Sequence, residues 1–151
     1  MDLKRIDPED VACAFRDTHM IVDASYYLKR QPDTDQPCGC AFGALFMRQF
    51  GFGTGVWPWA VEQTGSEAYV EGVDEGFAGR GPEYFSEDRH RDEFSRALNS
   101  FKSEPAREHW RLGVIDGFRS RCAVDLIQER PELAPLFVKS GQKRARRKII
   151  A

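Results

Sequence analysis

The feature that most constrains this chain is an internal repeat of twelve residues. Tyr69-Val-Glu-Gly-Val-Asp-Glu-Gly-Phe-Ala-Gly-Arg80 matches Trp110-Arg-Leu-Gly-Val-Ile-Asp-Gly-Phe-Arg-Ser-Arg121 in the pattern aromatic-x-x-Gly-Val-x-acid-Gly-Phe-x-x-Arg. On a helix, the aromatic, Val and Phe recur every four residues and form one stripe, with two glycines beside it. A glycine inside a helix costs roughly 1 kcal/mol against alanine, so two per copy require a return. The return expected here is close backbone approach, with helices at 69–79 and 110–121 turning their glycine faces inward. The acid and arginine of each copy, Glu75 with Arg80 and Asp116 with Arg121, could then form two related charged pairs.

The other elements read as helical. Asp7-Pro-Glu-Asp10 has a capping acid, a proline suited to the first turn and two acids at the positive end, with Val11, Ala12, Ala14 and Phe15 behind them. Met20-Ile-Val22 and Tyr26-Tyr-Leu28 form an apolar connection with room for a short extended piece. Cys38-Gly-Cys-Ala-Phe-Gly-Ala-Leu-Phe-Met-Arg-Gln-Phe-Gly51 follows a polar loop closed by Pro37. Pro37 suits a first helical turn and Gly51 a last one, which places two thiols at a helix N-terminus. Gly51 to Trp59 reads as a glycine-rich packing loop whose Trp57 and Trp59 cover the core, since no Lys-Ser or Lys-Thr closes it as a phosphate loop would require. Ser86 to Phe101 reads as one amphipathic helix with Phe94, Ala97, Leu98 and Phe101 inward and a Glu87–Arg91 pair outward.

At 151 residues the chain is long enough for one domain with a core of its own. We expect a mainly α fold, a compact single-domain helical bundle over residues 1–138, with the two glycine-patterned helices packed on the Cys38 helix. No apolar run reaches the length of a membrane span, and the N-terminus lacks a signal-peptide core. The four cysteines, Cys13, Cys38, Cys40 and Cys122, fall inside apolar patterns and read as reduced thiols in a cytoplasm. Their spacing is neither that of a zinc finger nor that of a Cys-x-x-Cys redox site, so no metal or cofactor is expected. Residues 139–151 hold six of the 22 basic side chains and no acid, leaving 16 basic against 24 acidic groups elsewhere. Within that tail Lys143, Arg144, Arg146, Arg147 and Lys148 are candidate binding residues for a polyanion or an acidic protein partner. Any nucleic-acid binding there should be weak and sequence-independent.

Two resemblances arise from these motifs. Cys38, Cys40, Gly43, Ala44 and Leu45, followed by Tyr69, Gly72, Gly76, Phe77 and Gly79, resemble a pattern of small uncharacterised bacterial helical proteins. That resemblance implies an all-α fold and no activity, although Ala78 stands where that pattern often has an aspartate. Gln31 to Gly51 is also similar to the nucleophile helix of papain-like peptidases that process bacteriocin leaders. It implies a cysteine hydrolase with Cys38 as nucleophile, Gln31 near the oxyanion, His109 as base and Asp125 orienting that base, with Cys40 and Asp116 as substitutes. The leading expectation is instead a non-enzymatic cytoplasmic binding or regulatory protein.

Overall fold

The computed structural model describes residues 2–133, apart from the side chains of Pro82 and Glu83. Among the described residues the protein is mainly helical, with seven α-helices and one small sheet. The helices are α1 (Pro8–Thr18), α2 (Ala41–Phe50), α3 (Val56–Thr64), α4 (Glu67–Phe77), α5 (Pro82–Ser86), α6 (Arg91–Asn99) and α7 (Glu104–Glu129). The strands are β1 (Ile21–Val22), β2 (Leu28–Arg30) and β3 (Pro37–Gly39), with β3 in the middle. β1 runs parallel to β3, placing Ile21 opposite Cys38, and β2 runs antiparallel, placing Lys29 opposite Cys38.

α4 and α7 form the centre. α7 is 26 residues long, a rod of about 39 Å. It opens on Ser103, whose hydroxyl accepts from the Ala106 N–H, and on Pro105 in its first turn. α4 opens on Ser66, whose hydroxyl accepts from the Tyr69 N–H. The two helices touch backbone to backbone. A methyl group built on Gly76 would lie 2.1 Å from the Val114 carbonyl oxygen, and one on Gly117 would lie 2.1 Å from that of Val73. Gly72 and Gly113 face each other in the same way, each Cβ position about 3 Å from the other's Cα.

α1 rests on α7 and α2 rests on α1, so the helix after Cys38 meets the glycine-patterned pair mainly through α1. This corrects the expected direct packing of those helices on α2. Phe15 of α1 stacks on Phe77 of α4 at 5.7 Å, and Val11, Ala14, Phe42, Tyr69, Val70 and Val73 are fully buried around that contact. A smaller apolar cluster gathers Phe85, Phe94, Leu98 and Phe101 around Trp110.

Three further expectations are corrected. Pro37 begins a strand, a position proline tolerates, and α2 starts only at Ala41 with Cys40 as its N-cap. The cause is long-range: the Tyr27 carbonyl lies over Gly39 and Gly43, where Cβ atoms would come within 2.2 and 1.6 Å of it. The supposed loop to Trp59 ends at Gly55, whose φ of 84° suits glycine, and α3 carries both tryptophans half-buried against the core. Residues 86–101 are not one helix either, because a 3-10 turn at Asp88–His90 separates α5 from α6. Arg91 accordingly pairs with Asp88 at 3.2 Å, and Glu87 with Arg89 at 2.8 Å.

A cationic cleft as candidate functional site

Cys38 sits on β3 with no exposed surface, and burial together with the nearby Asp23 pushes its thiol up. Cys40 is equally enclosed; burial, then the field of Asp74, raises it to about 12. Neither thiol has the depressed pKa that a helix N-terminus gives a reactive cysteine. His109 stands near the start of α7, its Nδ1 2.9 Å from the Ser66 hydroxyl that caps α4. Asp125 accepts from Arg121 Nε at 3.1 Å, one turn further along the same helix. Sixteen residues of α7 separate His109 from Asp125, about 24 Å at helical rise, so this acid cannot orient that base. Asp116, the substitute acid, is committed elsewhere.

Asp116 is 3% exposed and holds the N-terminal segment to the core. Arg5 grips it bidentately, Nε to Oδ2 at 2.9 Å and Nη2 to Oδ1 at 2.8 Å, and the Tyr69 hydroxyl donates to Oδ2 at 2.6 Å. The Ile6 N–H in turn donates to the Tyr69 oxygen at 2.8 Å. The two repeat copies therefore differ: Glu75 pairs with Arg80 at 2.7 Å, whereas Arg121 turns to Asp125 and to the Phe77 carbonyl oxygen.

A second enclosed acid lies on α4. Asp74 accepts from the Tyr27 hydroxyl through Oδ2, while its buried Oδ1 has no hydrogen-bond partner among the described residues. Burial raises Asp74 to about 7; the Tyr27 bond pulls the other way, and Glu71 and Glu75 add to the rise. Glu71, Asp74 and Glu75 border a cavity of about 280 Å³ facing Phe101 and Trp110. Among the described residues, His, Cys, Asp and Glu side chains form no group of three or more able to hold a metal ion.

The largest cavity described, about 500 Å³, opens between the N-terminal segment, α1, α2 and α3. Ile6, Phe42, Leu45 and Trp59 make up its apolar lining. Lys4, Arg5, Asp10 and Arg48 stand around it, together with the carboxamides of Gln49 and Gln63. Arg48 is held by Asp10, Nη2 to Oδ1 at 2.9 Å. Trp59 packs edge-to-face with two rings, Phe46 at 5.5 Å and Phe50 at 5.9 Å. Apolar surface with a few convergent polar groups, in a volume of this order, is the usual make-up of a small-molecule site.

No sequence motif marks this cleft, because its residues come from four separate segments. Lys143, Arg144, Arg146, Arg147 and Lys148 of the basic tail lie outside the described residues. No described helix is long and apolar enough to cross a membrane. Comparison with known proteins finds no matching family model, no similar curated protein and no similar solved structure.

Proposed function

We propose that this is a non-enzymatic binding or regulatory protein of the cytoplasm, and that it binds through the cleft between the N-terminal segment, α1, α2 and α3. One observation carries the reading. Of the groups the hydrolase reading needs, Cys38 and Cys40 are enclosed, His109 lies against the Ser66 hydroxyl and Asp125 is paired with Arg121 on the same helix. The cleft instead combines polar groups that have bonding capacity to spare with apolar lining. In this reading the glycine-patterned helices are two copies of one packing unit in a helical bundle. They give a stiff centre, and the elements around it present the binding surface.

The test uses the full chain and a blocked variant. Gln63 is exposed at the cleft margin, so Gln63→Trp fills the opening without entering the core. In a thermal-shift screen of small metabolite-like compounds, hits should stabilise the wild type and lose their effect on Gln63→Trp. Hits that stabilise both proteins alike contradict the proposal. So does a thioester or peptide hydrolysis that disappears in Cys38→Ser, which would install the cysteine hydrolase in its place.

A further inference from the structure

The cleft has a charge signature as well as a shape. Its N-terminal wall is fixed at three consecutive residues: the Lys4 N–H donates to the Thr64 carbonyl at 2.9 Å, Arg5 grips Asp116, and the Ile6 N–H meets the Tyr69 hydroxyl. Arg5 uses Nε and Nη2 on Asp116, so Nη1 keeps its two donors without a partner among the described residues. The Lys4 ammonium has no acid within ion-pair distance among them. Arg48 and Asp10 neutralise one another across the cleft. Asp116 offsets the charge of Arg5 in the same way, so what remains on the cleft lining is the Lys4 ammonium as net charge and the free Nη1 edge of Arg5 as oriented hydrogen-bond donors, both suited to oxygen anions.

The surroundings sharpen this. Outside the basic tail the chain carries 24 acidic against 16 basic groups, so a cationic cleft on such a body is a local exception. Trp59, Leu45 and Phe42 supply apolar lining that a fully hydrated inorganic ion would not use. Gln49 and Gln63 add donors and acceptors that make no hydrogen bond within the described chain.

Building on the binding function above, we propose that the cleft takes a compact organic anion: a carboxylate or phosphate at Lys4 and Arg5, carried on a flat apolar ring that lies against Trp59 and Leu45. Calorimetric titration of the full chain with phenyl phosphate, benzoate and benzyl alcohol tests it at low and moderate salt. At least one of the two anions should saturate a single site at about 1 mM or tighter, as ligands of this size can. Which anion binds distinguishes a phosphate from a carboxylate ligand. Lys4→Gln, an exposed change, should weaken that binding about tenfold and flatten its salt dependence. Equal binding of benzyl alcohol would overturn the anion assignment while leaving a binding cleft. Anion binding untouched by Lys4→Gln would also overturn it. Saturation by none of the three would overturn the anion assignment, while the cleft's binding role stands or falls separately on the Gln63-sensitive hits of the thermal-shift screen.

Discussion

Asp74 carries a consequence that only its surroundings reveal. Held to about 7 by burial, it keeps a proton in the folded protein that the unfolded chain releases near its ordinary value of 3.8. A raised folded-state pKa gives stability that is complete below the unfolded value and lost as pH climbs through the folded one. Stability should therefore fall between about pH 4 and 7 by this group's share, at most about 4 kcal/mol. Denaturation of the wild type and Asp74→Asn at pH 5 and 8 isolates it: the variant should lose less stability across that interval. Equal pH dependence in both proteins would contradict the assignment. The thiols give a second expectation. Cys122 is exposed whereas Cys13, Cys38 and Cys40 are buried, so iodoacetamide should modify the native protein at Cys122 first. Mass spectrometry showing early modification at Cys38 would restore the hydrolase reading. The sequence placed Cys38 on a helix because Pro37 fits a first helical turn as well as a first strand residue. What decided was the pairing of Cys38 with Ile21 and Lys29 and the Tyr27 carbonyl lying over Gly39 and Gly43, contacts that no local pattern encodes.

Among the elements, α4 and α7 were the most legible. Their glycines stand at a helical spacing that makes sense only if another backbone comes close, and Gly72, Gly76, Gly113 and Gly117 do lie at backbone contacts. Gly117→Ala should cost about 1–3 kcal/mol, because its methyl would meet the Val73 carbonyl and that backbone has no rotamer to yield with. Urea denaturation measures this, and an unchanged midpoint would mean that the helices separate freely. Gly53, whose nearest atoms are the end of the Phe46 ring at 3.4 Å, is the contrast: alanine there should cost little. The sheet was less legible, since strands of two and three residues give periodicity nothing to detect. The break between α5 and α6 was hidden in a continuous amphipathic pattern. α3 was hidden because glycines dominate the stretch before it.

At the scale of the molecule, the N-terminal segment is both a structural tie and one wall of the cleft. Asp116→Ala removes the acceptor for Arg5 and Tyr69 and leaves the Tyr69 hydroxyl short of a partner, at a cost of about 2–3 kcal/mol. It should also loosen Lys4 and Arg5, so amide exchange at residues 4–6 ought to quicken more than at the centre of α7. Uniform acceleration would make Asp116 a core residue only. Function is proposed to reside in the cleft and not in the thiols. The most direct measurement is a ¹⁵N–¹H correlation map of the full chain titrated with phenyl phosphate. Binding in the cleft should give saturable shifts at Lys4, Arg5, Leu45, Gln49, Gln63 and the Trp59 indole, with Cys38 and His109 still. Shifts centred on Cys38 and His109, or on a second, apolar cavity of about 300 Å³ that Phe85 of α5, Phe94 of α6 and Val114 of α7 line, would contradict it.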